Sequence, residues 1–211
     1  MRNHITKRLI ATLASAVIVL AAQSAKKAEE KTGGEVAKPL PLRAPFEVSS
    51  YFFPSGWMGD FKEKGKILLG VNAAYKDKPR KGSSNGLCIK VTYEGSTWAG
   101  VYWQYPDGNW GKRPGRTLNG ANHVTFWAAG DKGGEVVEFK AGGIDGDGMK
   151  YRDTLEVTTG LTSLSQEWKS FDISLAKQDL SNVIGAFACI IHGDASKKGA
   201  TTIYIDQIRY E

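Results

Sequence analysis

Beyond Phe46 the apolar residues come in short runs with a period of two, broken every few residues by Gly, Pro, Asn, Asp or Ser. No other feature limits the fold as tightly. Period two puts alternate side chains on opposite faces of a strand, whereas a helix needs a period near 3.6. Candidate strands are Phe46–Phe52, Ile67–Ala73, Leu87–Tyr93, Trp98–Tyr105, Asn122–Ala129, Glu135–Ala141, Thr154–Val157, Lys169–Ile173, Gly185–His192 and Thr201–Tyr210. Several are separated by too few residues for a helical crossover, so neighbours are expected to be mainly antiparallel. Ser174–Asn182 is the one helix candidate, short and weakly amphipathic. The pattern predicts an all-β fold, a two-sheet antiparallel β-sandwich of jelly-roll type, with no internal repeat and no second domain boundary.

Trp98 to Trp110 is the richest stretch. It holds three Trp and two Tyr, while the whole chain has six Trp. The run from Trp98 to Tyr105 alternates, and Pro106, Asp107 and Gly108 end it with turn chemistry. Ala99, Val101, Trp103 and Tyr105 form the expected core side; Trp98, Gly100, Tyr102 and Gln104 point the other way. In the same manner Val124, Phe126 and Ala128 oppose His123, Thr125 and Trp127, and Val137 and Phe139 oppose Glu138 and Lys140. If these strands are neighbours, one surface gathers Trp98, Tyr102, Gln104, Thr125, Trp127, Glu138 and Lys140. Flat rings beside amide, carboxylate and ammonium groups suit a pyranose, whose CH faces stack while its hydroxyls bond.

The net charge of +6 is unevenly placed. Residues 1–45 carry eight Lys/Arg and three Asp/Glu, and residues 46–211 carry twenty and nineteen. The folded part therefore has no basic footprint for nucleic acid. Arg2, Lys7 and Arg8 precede an apolar run from Leu9 to Ala22, too short to span a bilayer, followed by small residues. Residues 1–24 are expected to be a signal peptide, placing the protein in the periplasm or outside the cell. Leu20, Ala21 and Ala22 resemble the start of a lipoprotein signal, but Gln23 stands where the lipidated Cys would be. Residues 25–45, rich in Lys, Glu, Gly and Pro, are expected to be a disordered linker, and 46–211 the domain.

Three stretches carry a family resemblance: Phe46 with Glu47 just after the linker, the strand with Trp168, Phe171 and Ile173, and the closing strand Ile203–Tyr210. With the size of the domain they resemble a β-sandwich carbohydrate-binding module of the galactose-binding-like jelly-roll group. The resemblance implies a non-catalytic partner of polysaccharide or cell-surface glycan. It also implies a structural calcium held by Glu47 and Asp206, with backbone carbonyls completing the site. Gln207 departs from the family pattern, where a second Asp often stands. A cell-envelope protein-interaction or assembly domain of the same fold is the alternative, since aromatic patches serve protein interfaces equally well.

Other features are weaker. Gly142–Met149 has Asp145 and Asp147 but lacks the EF-hand pattern, and reads as a mobile loop at the sheet rim. Cys88 and Cys189 are the only cysteines; a disulfide between them would contribute about 4–5 kcal/mol, and two free buried thiols fit equally. No nucleophilic triad, paired-histidine metal site or phosphate loop is visible. Trp57 reads as loop cover for the core. Trp110 fits either core cover or the border of a ligand groove, with Arg113 and Arg116 near it.

Overall fold

The computed structural model describes residues 40–196 and 200–211; the expected signal peptide, and the linker up to residue 39, lie outside them. Sixteen strands follow in order: β1 (Leu40–Arg43), β2 (Phe46–Glu47), β3 (Phe53–Gly59), β4 (Lys62–Glu63), β5 (Lys66–Ile67), β6 (Leu69–Tyr75), β7 (Cys88–Tyr93), β8 (Trp98–Gln104), β9 (Arg116–Asn119), β10 (His123–Gly130), β11 (Val136–Gly142), β12 (Glu156–Thr158), β13 (Thr162–Ser163), β14 (Lys169–Ser174), β15 (Gly185–His192) and β16 (Thr201–Tyr210). Sheet I has the order β14-β10-β16-β7-β6, with β2 also on β16. Sheet II has the order β12-β11-β15-β8-β3, with β13 also on β11. Every pairing within the two sheets is antiparallel; the small β1-β9 pair is parallel.

The inward rows are the ones period two assigns. Ala99, Val101 and Trp103 of sheet II and Val124, Phe126 and Ala128 of sheet I join one core, together with Val137 and Phe139. Phe126 crosses between the sheets, its ring 4.7 Å from that of Phe139 and 5.0 Å from that of Phe187. The closing strand departs from strict alternation. Ile203 and Ile205 point in, yet so do Ile208 and Tyr210, an odd number of residues further on. A β-bulge resolves this: the register shifts between Thr125 and Trp127 opposite residues 206–209, with Gln207 at φ 50°.

Several expectations are corrected. Leu40–Arg43, expected in the linker, pair with β9. Phe46–Phe52 is not one strand, because the N–H groups of Tyr51 and Phe52 both donate to the Val48 carbonyl and close a 3-10 turn over Val48–Ser50. Trp57 consequently lies inside β3, paired with Val101, half-buried against the core and stacked on Phe61 at 6.3 Å. Ser174–Asn182 is not helical. Its groups bond outward or in tight turns, with the Leu180 carbonyl accepting from Leu118 and Lys177 at φ 65°. Cys88 faces outward from sheet I while Cys189 sits in the core on sheet II, and both are free. Burial pushes the Cys88 thiol up to about 11, so it is inert as a nucleophile near neutral pH.

Phe126→Ala removes the ring that bridges the sheets. It is expected to lower the unfolding free energy by about 3–5 kcal/mol in urea titration. A loss under about 1 kcal/mol would show that this contact is not central to the packing.

Candidate functional site

The sheet assignments divide the expected aromatic platform. Trp98, Tyr102 and Gln104 lie on β8, and Glu138 and Lys140 on β11, all on the outer face of sheet II. Thr125 and Trp127 lie on β10, on the outer face of sheet I. The core separates the two groups, so the single surface joining Trp98, Tyr102 and Trp127 does not exist. Alternation placed each side chain on the correct side of its strand, but it carries no information about which sheet the strand joins.

On sheet II the side chains form transverse rows. Glu138, Ile190, Gly100 and Met58 follow one another across β11, β15, β8 and β3; Lys140, Ala188, Tyr102 and Gly56 form the next row. Trp98 pairs with His192 at the open end and is 43% exposed. Gly59 seats its indole: at φ 61° it takes a conformation suited to glycine, and a Cβ there would lie 2.8 Å from Trp98 Cε3. Gly100 keeps the floor beside Trp98 shallow, under Met58 and Ile190. At the polar edge the Thr158 hydroxyl donates to Glu138 Oε1 at 2.6 Å, and Lys140 pairs with Glu156.

The other end of this face is closed. Tyr102 is only 3% exposed, and its hydroxyl donates to the Gly142 carbonyl at 3.1 Å. Ile144 and Ile184 pack on it, with Met149, Tyr151 and Trp110 around them; the Trp110 ring meets Tyr102 edge-on at 6.2 Å. Gln104 is fully buried beneath Gly56, accepting from the Ser55 hydroxyl at 3.2 Å. Gly142–Met149 is thus a packed cover rather than a free rim loop. Of the two readings of Trp110, core cover is the one seen.

Two residues that the sequence pattern did not single out hold this cover. Asn109 fixes the loop bearing Trp110, donating through Nδ2 to the carbonyls of Tyr105 and Arg113 while Oδ1 accepts from the N–H groups of Lys112 and Arg113. Asp153 accepts from the N–H groups of Ile144, Ile184 and Gly185. Burial pushes its carboxyl up to about 7, against the opposing pull of those N–H groups. Arg113 and Arg116 do not border the Trp98 face. Arg116 lies on β9, with its guanidinium 3.8 Å from the Tyr105 ring centroid.

The outer face of sheet I is covered by its own cations. Residues 76–87 fold over it, placing the Arg80 guanidinium 4.6 Å from the Trp127 ring centroid and Lys78 Nζ 5.1 Å from that of Tyr204. Tyr204 also stacks on Tyr75 at 5.7 Å and donates to Asp131 Oδ1 at 2.8 Å.

Glu47 and Asp206 do not fit a calcium ion. Asp206 Oδ2 accepts from Arg80 Nε at 3.0 Å, with both side chains almost fully buried. The same guanidinium donates to Gln207 Oε1 at 2.6 Å and to the carbonyls of Lys81 and Gly82. Glu47 pairs with Arg209 at 3.5 Å. Among the described residues no three His, Cys, Asp or Glu side chains gather into a metal-binding group. Calcium takes six to eight oxygens, and here a fixed positive charge already lies on the carboxylate.

No protein-family profile and no curated protein matches the chain. Solved structures of carbohydrate-binding modules are similar to it. A family 11 module from Clostridium thermocellum, in complex with a β-1,3-1,4-mixed-linked tetrasaccharide, is 16% identical with a TM-score of 0.40, covering 75% of this chain and 95% of that one. A family 30 module is 15% identical with a TM-score of 0.44, covering 79% and 97%. A family 61 module in complex with β-1,4-galactotriose is 18% identical with a TM-score of 0.38, covering 77% and 92%. At such values the likeness carries no argument about ligand, which must come from the residues. Among the described residues no helix is long and apolar enough to cross a membrane.

Two outcomes follow from the site's charges. Because Asp153 in the folded protein holds its proton at pH values where the unfolded chain has released it, its contribution to stability falls as pH rises from about 4 to about 7, by at most about 4 kcal/mol. Asp153→Asn should flatten that part of the stability–pH curve in urea unfolding; parallel curves for the two proteins would contradict it. Excess chelator or millimolar calcium should leave the melting temperature unchanged, whereas Arg80→Ala should cost about 3 kcal/mol by stranding Asp206. A fall of several degrees on chelation would show that a metal is held after all.

Proposed function

We propose that the chain is a non-catalytic, exported glycan-binding module whose ligand lies across the open end of the sheet II outer face. One observation carries this reading: Trp98 is the only exposed tryptophan among the described residues, at 43%, and its face continues across a shallow floor to Glu138 and Lys140. An indole stacks on the CH face of a sugar ring through dispersion and the apolar effect. A carboxylate and an ammonium held in place at the far edge bond hydroxyls in two directions with little ordering cost on binding. Glu138 uses one oxygen on Thr158 and keeps acceptor capacity for a hydroxyl. The signal-peptide pattern of residues 1–24 supports export.

Affinity electrophoresis against a panel of soluble polysaccharides, including mixed-linked β-glucan and β-1,4-galactan, tests the proposal. Trp98→Ala should weaken retention by about 1–3 kcal/mol, roughly 5- to 150-fold, without altering the fold. Trp127→Ala should leave retention unchanged. Equal retention of wild type and Trp98→Ala would remove this face from consideration.

A further inference from the structure

A separate pocket of about 430 Å³ opens where the β2–β3 connection meets residues 84–89 and the bulge of β16. It lies at the far end of β8 from Trp98: Phe53 on its wall pairs with Gln104, six residues along the strand and so about 20 Å away. We infer that this pocket is a second binding site, for a single neutral sugar or a disaccharide end.

Three features fix that class of ligand. The first is charge. The carboxylates on the wall are Glu47 and Asp206, and each already faces a guanidinium, Arg209 and Arg80 respectively. A neutral ligand keeps both pairs intact, whereas an anion would face two carboxylates and a cation would compete with two fixed arginines.

The second feature is the set of hydrogen-bonding groups with capacity left. Gln207 uses Oε1 on Arg80, and Asn85 uses Oδ1 on the Leu87 N–H and the Ser83 hydroxyl, so each retains its amide NH2 as donor. The hydroxyls of Ser49, Ser50 and Ser84 add groups that can donate or accept. Gln207 is brought to the wall by the bulge, where a non-glycine residue at φ 50° is held by its bond to Arg80.

The third feature is the apolar part. Phe53, 50% exposed, stands at the mouth and supplies the apolar face, while Phe52 and Trp103 are buried behind the wall. A ring with a CH face and a hydroxyl edge matches this division. The volume sits near the lower end of the range for small-molecule sites, which limits the ligand to one or two sugar rings.

The test uses the full chain with glucose, galactose, mannose, cellobiose and lactose, and with galacturonate and glucosamine as charged controls. Saturation-transfer NMR detects binding and calorimetry measures it. At least one neutral sugar should bind. Ser84→Trp fills the pocket from an exposed rim position and Phe53→Ala removes the mouth ring; each should weaken that binding tenfold or more, with unchanged circular dichroism. The titrations are repeated in the Trp98→Ala background, which removes the stacking ring of the sheet II face, and the pocket binding should persist there, which separates this site from the one on sheet II. The inference fails if no neutral sugar binds, if neither pocket variant alters Kd, if the charged sugars bind more tightly, or if Trp98→Ala abolishes the binding.

Discussion

The contact of Phe126 with Phe139 and Phe187 fixes the rest of the molecule. Phe126 belongs to sheet I and the other two to sheet II, so these rings hold the sheets face to face. Once that face is inward, strand alternation decides the destination of every neighbouring side chain. Trp127 follows Phe126 and must emerge on one outside; Glu138 and Lys140 flank Phe139 and must emerge on the other. The separation of the two aromatic groups is thus a consequence of packing and not of any property of the groups themselves.

Each outer face then carries one long connection. Residues 76–87 cover sheet I, and the Arg80 guanidinium anchors them by its bonds to Asp206 and Gln207 and its position over Trp127. The segment from Gly142 to Asp153 covers the Tyr102 end of sheet II, with Asp153 accepting three backbone N–H groups. Both anchors are charged or titratable groups withdrawn from water, so both are stable only with their partners present. The Trp98 end of sheet II is left open. Its indole rests on Gly59 and stays 43% exposed to solvent.

Much of this was readable from residues alone. Gly185–His192 and Thr201–Tyr210 form strands over the expected bounds, and the inward rows on β8, β10 and β11 are the expected ones. The β-sandwich class follows from the same periodicity. What escaped was non-local. Whether β10 lies beside β8 or across the core depends on pairings between residues 73 to 94 apart in sequence, and alternation is identical in both cases. Burial of Tyr102 depends on Ile144 and Met149, which lie in a glycine-rich segment that resembles a free loop. Arg80 lies in a run of Lys, Pro, Ser and Gly typical of solvated surface, and only the fold brings it onto Asp206. The bulge at Gln207 did leave a trace: Ile205 and Ile208 are three apart, which strict alternation does not allow.

Under the proposed function, glycan meets the sheet II face at Trp98 and not the sheet I face at Trp127. The indole N–H resonances of the six tryptophans, followed in 1H–15N spectra while a retained polysaccharide is titrated in, address it directly. The Trp98 resonance should shift progressively while those of Trp127 and of Trp168, whose ring lies 6.5 Å from that of Tyr204 on sheet I, stay still. Movement of Trp127 or Trp168 with Trp98 unmoved would place the ligand on the opposite side of the sandwich and contradict it.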